Sequence, residues 1–156
     1  MTEIITALML YISSITGWPI PPPPNIQFIN SSQQFFMIAN GCYEFPNTKV
    51  CETYDSRDDR IVALYNNITK TVMLNKDFWW FSTRDQSILL HELVHHMQYN
   101  SNYIKYKNMC RGTIEKEAYE IQRKWLAKYK RELFEVMNMN DLHYLIITTC
   151  VADYLH

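Results

Sequence analysis

Ser82-Thr83-Arg84-Asp85-Gln86-Ser87-Ile88-Leu89-Leu90-His91-Glu92-Leu93-Val94-His95-His96-Met97-Gln98 is the stretch from which the rest of the chain is read. Its second half spells His-Glu-x-x-His inside an apolar run that is long enough for a buried helix. On a helix, residues i and i+4 lie one above the other, so the imidazoles of His91 and His95 can converge on one metal ion. Glu92 lies about 100° around the helix from His91, beside the pair, where it can reach a water without itself being a ligand. Leu89, Leu90, Leu93, Val94 and Met97 supply the apolar floor, while Ile88, His91, His95 and Asn102 trace the metal-facing stripe. Ser82 with Asp85 and Thr83 with Gln86 form overlapping capping boxes, which mark the helix start. By chance the pattern should occur in roughly one chain in a hundred of this length. The competing reading, a core helix with two satisfied histidines, must also hide an unpaired carboxylate next to them.

Working outward, the chain has 156 residues, which fits one domain over residues 1–156 with room for a sizeable core. Its formal net charge is -1 with both signs interspersed, so the sequence offers no electrostatic footprint for nucleic acid. Residues 1–16 read as an N-terminal helix, about Thr2 to Thr16, stopping at Gly17. Residues 18–24 contain Pro19 and Pro21 to Pro24 and read as a stiff, extended connector. The apolar part of the first helix lacks a basic leader and is too short to span a bilayer, so the sequence favours the cytoplasm over a periplasmic or secreted location and carries no membrane span.

Asn25 to Ile29 alternates like a strand, and Gln34 to Ala39 is either a second strand or a short helix. Arg60 to Tyr65 and Thr71 to Leu74 read as strands joined by a hairpin loop. After the motif helix come helices at Thr113 to Lys130, with Ile114, Ala118, Ile121 and Trp125 as its core stripe, and at Asp141 to Leu155. Cys42, Cys51, Cys110 and Cys150 have no C-x-x-C spacing. Cys42 and Cys51 could pair in an oxidising compartment or be ordinary buried thiols. The fold class is α+β: a small sheet on the motif helix and a second functional helix, with extra N- and C-terminal helices.

Two histidines hold zinc poorly, because catalytic sites use three protein ligands. The metzincin pattern would require Gly at position 98 and His at 101, where this chain has Gln98 and Ser101. The next hard ligands are Glu115 and Glu117, about 200° apart on their helix, so only one can face the site. Glu115 shares a face with the small Ala118, which lets two helices approach, and is chosen as the third ligand. Glu117 is read as a first-turn acid favoured by the helix dipole. His96 is read as a polar group on the helix surface, and His96 and Gln98 as minor candidates for lining a cleft.

His91-Glu92-x-x-His95 followed by Glu115-x-x-Ala118 resembles the gluzincin metallopeptidases, in which two histidines and a downstream glutamate hold zinc. More narrowly, Thr16-Gly17, His91 to Gln98 and Glu115 to Tyr119 are similar to a bacterial family of small metallopeptidases. The resemblance implies a compact zincin-like domain and a single Zn2+ ion on His91, His95 and Glu115. It also implies hydrolysis of a peptide or protein substrate by a zinc-activated water, with Glu92 as general base. An extended substrate would pair with an edge strand, either Arg60 to Tyr65 or Thr71 to Leu74.

One departure stands out. Many gluzincins carry an Asp four residues after the ligand Glu, orienting a zinc-binding histidine, and this chain has Tyr119 there. Gly112-Thr113-x-Glu115 also resembles the Gly-Thr-x-Asp stretch of the aspzincins, whose nearby Tyr stabilises the oxyanion. Tyr119 is therefore a candidate catalytic residue, either orienting a ligand or assisting as an electrophile. The alternative function is a catalytically silent zincin-fold binding or scaffold protein with structural zinc or none.

Overall fold

A computed structural model describes residues 1–52 and 62–150. The first helix, α1 (Thr2–Thr16), buries Ile5, Leu8, Met9 and Ile12 at helical spacing. It stops where Gly17 turns left-handed at φ 73°, a conformation that costs glycine little. Beyond the proline connector come β1 (Asn25–Ile29), α2 (Ser32–Ala39) and the short α3 (Lys49–Glu52). The Gln34 to Ala39 ambiguity resolves to helix, because the Ser31 hydroxyl accepts from the Gln34 amide and caps it.

The strands β2 (Ala63–Asn66) and β3 (Thr71–Asn75) form the expected hairpin, with Ala63 opposite Leu74 and Asn66 opposite Thr71. The expected start of the first of these strands, Arg60 and Ile61, lies outside the described residues. β1 pairs parallel to β3, giving the order β1-β3-β2. The central strand β3 sends Val72 and Leu74 into the main core. Met73, facing the other way, joins Ile29 and Phe35 in a smaller cluster under α2. Being paired on both sides, β3 has no edge to offer, so of the two strands considered for substrate pairing only β2 has an edge that is unpaired among the described residues.

The motif helix α4 (Thr83–Ser101) begins at the predicted cap, with the Ser82 hydroxyl accepting from the Asp85 amide. Asp85 reaches back to the Trp79 amide at 2.9 Å. Leu89, Leu90, Leu93, Val94 and Met97 are fully buried, and the main core joins them to α1, the sheet and the helices that follow. Asn102 is not on the metal-facing side. It ends α4 and caps α5 (Tyr103–Lys107), accepting from the Lys105 amide. The five-residue α5 is too short to show a period in sequence.

Next comes α6 (Arg111–Ala127), which starts two residues earlier and ends three earlier than the pattern suggests. It is followed by α7 (Leu133–Met137), closed by left-handed Asn138, and α8 (Asp141–Thr148). The last helix ends well short of Leu155, and residues 151–156 lie outside the described part. A tertiary tie explains the early stop. Cys150 is disulfide-bonded to Cys110 at the head of α6, and Thr149 is already extended. Gly112 permits the approach, since a β-carbon there would lie 2.6 Å from the Thr149 backbone. A second disulfide joins Cys42 to Cys51, realising one of the two options open in the sequence. Among the described residues no helix is long and apolar enough to cross a membrane.

Candidate metal centre

The site forms where α4 packs on α6. His91 and His95 stack on one face of α4 as their spacing requires, and Glu115 enters from the second turn of α6. His91 Nε2 lies 3.1 Å from His95 Nε2 and 3.1 Å from Glu115 Oε2, while His95 Nε2 lies 3.4 Å from the same oxygen. His91 is buried and the other two nearly so. The three residues could hold a metal ion.

What these atoms are chemically follows from their neighbours. Gln98 Nε2 donates to the Ile114 carbonyl at 3.2 Å and to Glu117 Oε2 at 2.8 Å, both of which can only accept. Its Oε1 therefore faces His95 Nδ1 at 2.9 Å, and that nitrogen must carry the proton. Around His91 the logic repeats. Ser87 donates its hydroxyl to the Arg84 carbonyl, Gln122 Nε2 donates to Ser87 at 3.1 Å, and Gln122 Oε1 accepts from His91 Nδ1 at 3.1 Å. With Nδ1 of each ring carrying a proton, both Nε2 atoms turn toward each other and toward a carboxylate oxygen, and without a second proton each would present a lone pair there. Three acceptors at such distances repel unless a proton or a cation sits among them. Ligand atoms about 2.0–2.1 Å from one tetrahedral ion lie about 3.3–3.4 Å apart, close to the spacings observed.

The electrostatics agree. Burial works against ionised Glu115, but its hydrogen bonds to His91 and His95 outweigh that and hold its carboxyl well below the usual range. Burial alone would lower the His95 pKa, yet its bond to Glu115 and the charges of Glu92 and Glu115 raise it. The field that favours a proton here favours a cation equally. Glu92 sits beside the ligands with its pKa raised, chiefly by burial and against the pull of both histidines. Its Oε2 accepts from the backbone N–H of Tyr65 on β2 at 2.8 Å, so the carboxylate is fixed to the sheet edge. Among the described residues Oε1 has no such partner.

Tyr119 lays its ring against His91, with centroids 4.3 Å apart. Its hydroxyl makes no hydrogen bond to a described residue, and burial together with the nearby Glu115 and Glu92 keeps the phenol protonated. The hydrogen bond that orients His91 comes from Gln122, while the Tyr119 ring packs against it. Gln122 sits seven residues beyond Glu115, about 20° off the same helical face. Its one sequence signal is a polar residue among Ala118, Ile121 and Trp125 in the apolar stripe of α6.

Three other expectations change. Glu117 does more than complement the helix dipole, since its carboxylate accepts from Gln98 and from the Tyr106 hydroxyl at 2.8 Å each. Gln98 is fully buried beneath His95 and does not line the cleft. His96 is 2% exposed, so it is no surface group. Its Nε2 donates to the Pro22 carbonyl at 2.8 Å and its Nδ1 pairs with the Tyr65 hydroxyl, pinning the proline connector to α4.

The model of the family described as domain of unknown function DUF6647 matches residues 1–156, so the chain belongs to that family. No curated protein and no solved structure matches it.

Proposed function

We propose that this DUF6647 member is a zinc-dependent peptidase of gluzincin type, with a zincin-like arrangement of sheet edge, motif helix and glutamate helix. The observation that carries this reading is the pairing of three convergent ligand atoms with a carboxylate fixed beside them. His91, His95 and Glu115 would hold the ion. Two imidazoles and one carboxylate on helices suit zinc, and three protein ligands leave a fourth position open. When bound, the ion supplies Lewis-acid polarisation of the scissile carbonyl and makes a water acidic enough to attack near neutral pH.

The remaining work belongs to the chain. Glu92 keeps Oε2 on the Tyr65 amide and offers Oε1 to the attacking water, whose proton it takes and later passes to the leaving amine nitrogen. Its raised pKa suits the return of that proton. The β2 edge beside Glu92, unpaired by another strand among the described residues but with the Tyr65 N–H held by Glu92, would align an extended peptide main chain through its remaining backbone groups. Tyr119 keeps its phenol proton and lines the cavity with His91 and Glu92, placed to donate to the developing oxyanion.

The test is Glu92→Gln, assayed on a peptide library with a chelator control. Zinc should remain stoichiometric while cleavage falls by about 10²–10⁴. Chelator-sensitive cleavage retained in that variant overturns the mechanism. Zinc-loaded wild-type protein that cleaves nothing favours the silent binding or scaffold reading.

A further inference from the structure

The cleft at the metal centre has two unlike lobes, and β2 runs from one to the other. Ala63 and Leu64 border a cavity of about 340 Å³ that also holds His91 and Glu92, with Ile88 and Met137 on its apolar wall. Tyr65 borders both lobes, as do His95, Arg111 and Glu115. Past Tyr65, toward Asn67, a larger cavity of about 460 Å³ is lined by Tyr99, Tyr103, Lys107 and Arg111. His95 and Glu115 therefore stand at the junction of a lobe with an apolar wall of Ala63, Leu64, Ile88 and Met137 and a lobe that adds Lys107 to the shared Arg111.

The cations in the second lobe are underused. The Arg111 side chain is 91% exposed, and its contact with Glu115 Oε1 is loose at 3.6 Å. Lys107 lies 5.8 Å above the Tyr103 ring. Glu115 is the one acid among the lining residues described, and its Oε2 is committed to the histidines. With that carboxylate engaged by a metal, the lobe presents two cations beside the phenols of Tyr99 and Tyr103 to whatever enters. Such a surface pairs with a carboxylate.

We propose that the substrate carries a carboxylate in the Lys107 and Arg111 lobe on one side of the scissile bond and an apolar side chain in the Leu64 and Met137 lobe on the other. This rests on the peptidase reading for the position of the bond but not for the charge preference of the lobe. The carboxylate can come from an acidic side chain or from a free chain end, and the experiment separates the two.

The experiment uses fluorescent peptides matched except for Glu, Gln or Lys at each position flanking one apolar residue, each with an amidated or a free C-terminus. They are assayed for cleavage by zinc-loaded wild type and for binding to zinc-loaded Glu92→Gln. Glu peptides should exceed Lys peptides by about tenfold in cleavage or binding, less at high salt. Preference in the amidated series assigns a side chain, and preference confined to the free-ended series assigns the chain end. Lys107→Gln with Arg111→Gln should bring the ratio to within about twofold while zinc stays bound. Equal treatment of Glu and Lys peptides, no binding of any peptide, or a preference that survives the double substitution overturns the proposal. Charge-selective binding without cleavage keeps the lobe and removes the peptidase reading. Cleavage without charge selection does the reverse.

Discussion

Helices α4 and α6 build one site in different ways. On α4 the two imidazoles are four residues apart, so helix geometry alone sets their relation. On α6 nothing about Glu115 is fixed until that helix docks. Once docked, α6 does more than supply a ligand. Gln122 holds the His91 proton, and Glu117 anchors the glutamine that holds the proton of His95. One helix supplies the donor pair, and the other decides which nitrogen of each ring is free. A candidate metal site can thus be half local and half tertiary, and substitutions on the two helices should fail differently.

The largest contrast lies in the ligands. His95→Ala should abolish stoichiometric zinc binding, whereas Glu115→Ala should leave an intact histidine pair that binds weakly and yields its metal to a mild chelator. Equal losses in a competition titration would mean that α4 has no independent affinity. Next comes the tie that seats α6. Cys110 and Cys150 are 40 residues apart, and replacing both by Ser should cost about 4 kcal/mol in denaturant unfolding and weaken zinc binding as Glu115 loses its position. Cys42 and Cys51 are only 9 apart and far in sequence from both helices. Their replacement should cost about 3 kcal/mol and leave zinc affinity unchanged.

A finer comparison sets Gln122→Leu against Gln98→Leu. Each should lower zinc affinity by about 10–100-fold in a competition assay, because each frees one imidazole to rotate or change tautomer. An unchanged affinity for Gln122→Leu would remove α6 from the control of His91. The smallest effect belongs to α4 alone. Ser82→Ala should cost about 1 kcal/mol of stability by thermal or chemical unfolding, with no change in metal affinity.

Much of α4 is legible in the sequence, because cap, apolar floor and ligand spacing all lie within one helix. Ser82, His91, His95 and the buried leucines stand where the period puts them. Glu115 is reached through the face it shares with Ala118, and the structure places it against both histidines. Asn102 misleads, since the chain turns there to start α5 and helical phase no longer applies. The early end of α8 and the Cys110 to Cys150 bond join residues from distant parts of the chain, and no local pattern encodes them.

The roles of Gln98, Glu117 and His96 are closed to sequence reasoning for a related reason, and that of Gln122 is signalled only by its polar side chain in an apolar stripe. A buried amide or carboxylate looks in sequence like any surface polar residue, and only its hydrogen-bond partners reveal its work. The sequence by itself determined the helix, the two imidazoles and the carboxylate beside them, because 3.6 residues per turn fixes what stands over what. Tertiary structure decided the reach of Glu115 toward the two imidazoles, which nitrogen of each ring is held by a glutamine, and the strand edge that holds Glu92. Those depend on how separate elements dock, which side-chain packing settles and local spacing does not.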